Sequence, residues 1–161
     1  MTDTNTTSEY WSINGTSLQT LRWTIEDFGP LEAPPPYRGD TITVPYKSGQ
    51  VWRERVVDSR TLTFNMVVFN CDDTGANPSE TQLKKNWVQL RALFWGAAGS
   101  QLAITKRSGA GIMSVGALTA VGYGVFAGGL EPVNLGMQGL RFSADVFMAD
   151  PYFYDGTTPY L

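Results

Sequence analysis

The stretch Arg60–Trp95 changes its hydrophobic period, and this change most limits the folds that are open to the chain. In Arg60–Phe69, apolar residues alternate with polar ones, which is typical of a β-strand that buries one face. After the loop 70–77 the period lengthens to between three and four residues, which predicts an amphipathic α-helix. One stripe of this helix is apolar: Leu83, Trp87, Leu90 and Phe94.

This helix is the only one that the sequence predicts. Asn77 or Ser79 can cap its start, Pro78 suits its first turn, and Gly96 can end it. The rest of the chain has the pattern of strands and turns, so a sheet is the only partner against which the helix can bury its stripe. We therefore expect a mainly β fold of the β-sandwich type, with a single helix packed on the sheet.

The N-terminal part of the chain predicts a hairpin. Tyr10–Ile13 has the composition of a short strand, and Asn14-Gly15 is a strong tight-turn signal. Ser17–Phe28 then alternates as a second strand, in which Leu21, Trp23 and Ile25 are expected to face the core. The segment Gly29–Pro36 contains three consecutive prolines. It is either a rigid connection over the end of the sheet, which we favour, or a docking segment for an aromatic groove.

Further strands are predicted along the chain, and the last one is long. In Gly139–Ala149 one face is apolar, while Phe147 shares the opposite face with polar residues. Glycines within Ile112–Phe126 indicate bulges, bends or close backbone packing. The remaining strands are expected at Thr41–Tyr46, Val51–Val57, Gln101–Lys106 and Ile112–Phe126.

The length of 161 residues suits one domain with a substantial core, which we expect at 10–161. The segment 1–9 is rich in Thr, Asn and Ser and is expected to be a flexible arm. Charged residues make up 17% of the chain, which is low for a soluble domain. The low charge favours a protein whose surface is partly covered by partners.

Composition also argues against enzymes and cofactor proteins. The chain has no histidine and one cysteine, so it lacks the residues for Ser-His-Asp or Cys-His catalysis and the commonest transition-metal ligand. The loop Cys71–Asn77 carries two adjacent aspartates whose spacing does not match a calcium loop, and we interpret it as an Asx turn before the helix. No cofactor, metal or catalytic residue is predicted. The net charge of −3, without a basic stripe, disfavours nucleic-acid binding.

Two groups of residues are candidates for contacts with other subunits or partners. Trp52, Arg53 and Arg55 alternate on a predicted strand and form the first group. The cluster of Arg53, Arg55 and Arg60 is either a substrate-anion site or a solvated or partner-paired strand face, which we favour. The aromatic run Tyr152, Phe153 and Tyr154 follows Asp150-Pro151 at a strand end. It is either a contact patch or a cover that folds back over the core.

Taken together, these segments resemble the distal tail proteins of long-tailed bacteriophages, in particular the minor tail proteins of phages that infect actinobacteria. No single motif is specific, but the order and spacing cover nearly the whole chain. The resemblance is carried by Tyr10–Gly15, Val44–Gly49, Arg60–Phe69, Leu83–Phe94, Leu102–Lys106 and Val146–Tyr154.

The resemblance implies a β-sandwich or tail-tube-like domain that assembles into a ring, six-fold in this family, at the distal end of the tail tube. Such a ring joins the tube to the baseplate or tail-tip hub protein, and its channel lets DNA pass in transit. The expected location is the virion tail tip, after assembly in the host cytoplasm and without membrane insertion. Many members also carry a carbohydrate-binding domain, whereas this chain is expected to correspond to the ring-forming domain alone.

Two alternatives remain open. A tail-tube or tail-completion protein would differ from a distal tail protein in its copy number per virion. A carbohydrate-binding β-sandwich would use exposed rings as stacking platforms, and a glycan array would test it. The candidate rings are Trp11, Trp23, Trp52 and Tyr152–Tyr154.

Overall fold

The fold is described from a computed structural model. It describes residues 10–39, 42–43, 50–51, 56–96, 99–108, 118–134, 136, 139–155 and 158–160. The expected N-terminal arm, 1–9, lies outside the described residues, and its separation from a domain 10–161 remains a prediction.

Strands dominate the described residues, and two helices interrupt them. The helices are α1 (Gly29–Glu32) and α2 (Glu80–Trp95). The strands are β1 (Tyr10–Ile13), β2 (Thr16–Ser17), β3 (Trp23–Asp27), β4 (Tyr37–Arg38), β5 (Ile42–Thr43), β6 (Gln50–Val51), β7 (Val56–Val57), β8 (Arg60–Phe69), β9 (Leu102–Ser108), β10 (Leu118–Gly129), β11 (Val133–Asn134), β12 (Gly139–Met148), β13 (Phe153–Asp155) and β14 (Thr158–Tyr160).

The principal sheet is antiparallel and curls along one long strand. Its order is β2-β1-β9-β10-β12-β8-β3, and β11, β13 and β14 pair at its sides. Residues 118–124 of β10 pair with β9, whereas residues 125–129 pair with β12, with a register shift between Phe126 and Gly128. Because one strand serves both halves, the sheet bends around a shared interior. The mainly β prediction, with a helix packed on the sheet, is confirmed, and α1 adds one short turn.

The centre of the fold is the long pairing of β8 with β12, which extends from Gly139 opposite Phe69 to Met148 opposite Arg60. Both strands alternate buried and exposed positions, as the period-two pattern predicted. The buried residues of the pair are Leu62, Phe64, Met66, Val68, Phe142, Ala144, Val146 and Met148. Helix α2 packs against these side chains.

Helix α2 has the expected limits and buries the expected stripe. The Ser79 hydroxyl accepts a hydrogen bond from the Gln82 amide at 3.1 Å, and Gly96 ends the helix with a φ of 51°. Leu83, Leu90 and Phe94 are buried, as predicted. Trp87 is half-buried, and its ring lies edge-on to Phe142 with a centroid distance of 5.0 Å.

The prediction of one strand over Ser17–Phe28 is wrong. The Asn14-Gly15 turn does join β1 to β2, but β2 ends at Ser17, and the chain crosses to the other half of the sheet as β3. The Trp23 indole donates to the Ser17 carbonyl at 3.0 Å and fixes the break. Trp23 is buried as expected, whereas Leu21 lies in the break and is 56% exposed.

The proline-rich connection begins with a helical turn that docks on the core. Leu31 of α1 is buried, and Glu32 forms an ion pair with Lys106 of β9. The Arg60 guanidinium donates to the Ala33 carbonyl at 3.2 Å. These contacts support a connection held against the sheet. Of the strands expected at Thr41–Tyr46, Val51–Val57 and Ile112–Phe126, the structure describes only the parts within β5, β6, β7 and β10.

Candidate contact surface

The first group of predicted contact residues, together with Arg60 of the arginine cluster, is only partly described. Trp52, Arg53 and Arg55 lie outside the described residues. Arg60, in contrast, is buried, and its guanidinium carbon lies 5.2 Å from the Phe153 ring centroid. Burial lowers the pKa of Arg60, and the nearby Glu32 carboxylate partly opposes this. Arg60 is therefore part of the interior, and its expected place on a solvated or partner-paired face is wrong.

The aromatic run after Asp150-Pro151 divides between the core and the surface. Phe153 is 3% exposed, and its ring lies edge-on to Trp11 at 5.7 Å. Trp11 and Trp23 are also buried, so neither ring is available as a stacking platform for a sugar. Tyr152 and Tyr154 are half-buried, and they are the rings of the run that reach solvent.

A carboxylate at the corner orients the run. Asp150 accepts a hydrogen bond from the Tyr154 hydroxyl at 2.7 Å and one from the Tyr152 amide at 3.2 Å. The hydrogen bond to Asp150 is the main cause that raises the pKa of Tyr154. Since Tyr154 pairs with Val121 of β10, its side chain lies on the same face of the sheet as that of Val121.

That face carries a continuous apolar surface because residues 121–125 of β10 have large side chains on one side only. A Cβ on the inward Gly122 would lie 2.6 Å from Met148 Cε, and a Cβ on the inward Gly124 would lie 2.6 Å from Val146 Cγ1. The close backbone packing predicted from these glycines is confirmed. The intervening outward residues are Val121, Tyr123 and Val125.

Register adds two rings to this face. Phe147 of β12 pairs with Val125, and Tyr154 of β13 pairs with Val121. Tyr123 is 51% exposed, Phe147 38% and Val125 36%. We call these five residues the outer patch: Val121, Tyr123, Val125, Phe147 and Tyr154. Contiguous exposed apolar residues of this kind mark sites of protein contact.

Two carboxylates adjoin the outer patch, and Arg107 of β9 lies on the same face, opposite Thr119. Asp145 lies two residues before Phe147 on the same face, where it accepts a hydrogen bond from the Thr63 hydroxyl at 2.7 Å. Asp150 is bonded to Tyr154. Asp150 is exposed. The outer patch is thus an aromatic surface whose rim, among the described residues, carries two carboxylates and one guanidinium.

The second exposed surface is the outward face of α2. Val88 is 62% exposed and Trp95 51% exposed, although the Trp95 ring also contacts Phe126 at a centroid distance of 5.6 Å. Exposed cations separate these apolar residues. We call the following residues the helix face: Lys84, Lys85, Val88, Arg91 and Trp95.

A groove lies near the β11 end of the sheet. It has a volume of about 630 Å³, and Glu26, Asn65, Glu131 and Arg141 contribute to its lining. Glu26 and Arg141 form an ion pair across it. Within the part of the chain that the structure describes, no three His, Cys, Asp or Glu side chains lie close enough together to hold a metal ion. No described helix is long and apolar enough to cross a bilayer.

Sequence reasoning found Tyr154 but missed the other members of the outer patch. One signal was available, because Phe147 is a large apolar residue on the polar face of an alternating strand. Tyr123 and Val125 lie in a glycine-rich segment whose register could not be assigned without the bend in β10.

The architecture defines a class of protein. Its members have a curled antiparallel sheet that carries one long amphipathic helix on one face and an aromatic surface on the opposite face. No family model matches the chain, and no curated protein matches it. Among solved structures it is similar to the Dit protein of phage SPP1, described as a paradigm of the hub adsorption apparatus in phages that infect Gram-positive hosts. The TM-score is 0.60 at 16% sequence identity, over 91% of this chain and 51% of Dit.

The likeness shows that the chain has the fold of a phage distal tail protein, and it confirms the predicted resemblance at that level. The chain spans about half the length of Dit.

Proposed function

We propose that the protein is a structural component of a phage tail, a distal tail protein whose copies form a ring. The ring joins the tail tube to the baseplate or tail-tip hub protein, and its channel lets DNA pass. The observation that carries this proposal is the fold shared with SPP1 Dit over 91% of the chain.

Two features of the chain support a structural role rather than an enzymatic one. The exposed features described above are broad surfaces, and the groove near β11 has its Arg141 already paired with Glu26. The chain has no histidine to serve as a general base near neutral pH. An aromatic surface with a charged rim suits protein contact, since aromatic residues are enriched at interfaces.

The net charge of −3 suits a protein that surrounds passing DNA. A neutral or acidic channel wall does not neutralise phosphates, so DNA can slide without being retained. In this proposal DNA moves through the channel and is not bound as a ligand.

The test begins with the native mass of the purified chain and negative-stain images of the eluted material. A closed ring, six-fold in the images, is the expected result. Gold-labelled antibodies against the chain should then mark the distal end of the tail in virions. Labelling along the whole tail, with a copy number of many rings, would instead identify a tube protein. Absence from virions would contradict the proposal.

A further inference from the structure

We propose that neighbouring copies of this chain associate head to tail, with the helix face of one copy seated on the outer patch of the next. This inference rests on the proposed ring and names the surfaces that form it. It follows from the positions, the composition and the charges of the two surfaces.

The two surfaces face in opposite directions. Helix α2 packs on the inner side of β8 and β12, where Leu90 and Phe94 are fully buried and Phe94 contacts Phe142. The outer patch lies on the other side of the sheet, because Phe147 alternates with the inward Val146 and Met148. A contact between two different, oppositely directed surfaces of identical subunits is heterologous, and it generates a closed ring when the rotation closes.

Each surface leaves apolar groups exposed that the other can cover. Val88 and Trp95 lie on one side of α2, seven residues or about 10 Å apart along the helix axis. Val121, Tyr123 and Val125 extend about 13 Å along β10, and Phe147 and Tyr154 widen this surface across the neighbouring strands. The two apolar surfaces therefore match in length.

The charges are complementary. Helix α2 carries three cations, Lys84, Lys85 and Arg91, and one carboxylate, Glu80, in a chain whose net charge is −3. Lys84 is paired with Glu80 at 2.7 Å, whereas Lys85 and Arg91 have no ion pair among the described residues. The rim of the outer patch supplies the carboxylates of Asp145 and Asp150, and its one cation among the described residues is Arg107 of β9. A second copy thus offers the negative charge that the helix face lacks, and rim charges of this kind guide register and partner choice.

The experiment uses two charge-reversed proteins, each of which retains one wild-type surface. The helix variant is Lys85→Glu with Arg91→Glu, and the patch variant is Asp145→Lys with Asp150→Lys. Each variant alone places like charges at every contact, so self-association should weaken at least about tenfold by sedimentation velocity. An equimolar mixture can alternate the two proteins around a ring, and every contact then pairs opposite charges. The mixture should recover wild-type assembly.

Matched controls and a second variant keep the test decisive. Arg38→Glu and Glu131→Lys reverse exposed charges outside both surfaces and should assemble as wild type. Thermal unfolding verifies that each variant folds. If Asp150→Lys disturbs the corner, Tyr123→Ser with Phe147→Ser removes the rings without charge and should weaken assembly to a similar degree.

Three results would overturn the inference. These are wild-type assembly by either charge variant alone, failure of the mixture to assemble while the wild type does, and a wild type that stays monomeric at every concentration tested. A ring that forms regardless of these substitutions would leave the proposed function intact and refute only the contact. A protein absent from the tail tip in virions would refute the function itself.

Discussion

The side-chain nitrogen of Asn86, in the middle of α2, lies 2.9 Å from the carbonyl oxygen of Phe69 at the end of β8. The same amide group donates to the Cys71 carbonyl at 2.8 Å, and Gln82 donates to its oxygen at 2.9 Å. Asn86 has no exposed surface. This amide therefore joins the helix to the strand end with its hydrogen bonds satisfied.

Replacement of Asn86 should destabilise the fold more than an exposed substitution on the same helix. Asn86→Ala leaves two carbonyl oxygens without their donor, and we expect a loss of about 2 kcal/mol in the free energy of unfolding. In a chain of this length that lowers Tm by roughly 4–8 °C. Asn86→Asp keeps the shape but points a carboxylate at two carbonyls, so it should be at least as harmful at neutral pH.

The control is Thr81→Ala, an exposed position in the first turn of α2, which should change stability by no more than about 0.5 kcal/mol. Urea unfolding of the three variants beside the wild type makes the comparison. If Asn86→Asp were as stable as the wild type, the hydrogen bonds to Phe69 and Cys71 would not be what holds the helix.

The position and the inner stripe of α2 could be predicted because local spacing determines them. Ser79, Gly96 and the apolar period all indicate the same helix, and the structure agrees. Asn86 could not be predicted as a buried residue, since its burial depends on two carbonyls that are close only after β8 and α2 have packed. The same limit applies to Leu21. It is exposed because the strand is interrupted between β2 and β3, and the alternating sequence pattern gives no sign of this interruption.

Gly124→Ala should destabilise the junction between the two halves of the sheet. The added Cβ would lie 2.6 Å from Val146 Cγ1 and 2.9 Å from the Phe147 carbonyl oxygen. A backbone oxygen cannot move aside as a side chain can, so we expect a loss of about 1–3 kcal/mol. Thermal unfolding followed by circular dichroism measures it.

Gly128→Ala, in the same strand, is the matched control because a Cβ there meets no atom within 4 Å. It should stay within about 0.5 kcal/mol of the wild type. Equal losses at the two positions would indicate that backbone freedom, and not the contact with β12, explains the glycines of β10.

The outer patch shows a second limit of sequence reasoning. Tyr154 was found as a contact candidate because it stands in an aromatic run, yet Phe153 in the same run is buried against Trp11. Which ring of the run faces outward depends on the pairing of Tyr154 with Val121, which is distant in the sequence and lies on another strand. Aromatic composition thus identified the segment, and only register distinguished its members.

Asp72 should make the loop before α2 sensitive to acid. The Thr74 hydroxyl donates to its carboxylate at 2.6 Å, Asn77 at 2.7 Å, and the amides of Ala76 and Thr74 at 3.0 and 2.9 Å. These hydrogen bonds, that of the Thr74 hydroxyl first, hold the pKa of Asp72 well below its usual range. They confirm the predicted Asx turn.

A depressed pKa in the folded state means that Asp72 stabilises the fold above the ordinary aspartate pKa of about 3.9. That contribution is lost as the pH falls below this value towards the folded-state pKa. Asp72→Asn should therefore flatten the decline of Tm below about pH 4. Glu131→Gln, an exposed carboxylate outside the loop, serves as the control, and an unchanged acid profile in Asp72→Asn would contradict the assignment.

The bond between Tyr154 and Asp150 should give the opposite dependence at alkaline pH. Because Asp150 raises the pKa of Tyr154, the folded state holds the phenol proton more tightly than the unfolded state does. The stability that this provides is complete below the unfolded tyrosine pKa of about 10 and disappears as the pH rises through the folded value. Tyr154→Phe should therefore remove part of the decline in Tm above about pH 10.

Titration of the tyrosine rings by NMR measures the shift directly. Asp150→Asn removes the carboxylate and should lower the pKa of Tyr154 towards its ordinary value. A Tyr154 titration curve that is the same in the wild type and in Asp150→Asn would show that the Asp150 carboxylate does not orient this ring. Asp150 would then not be bonded to the outer patch.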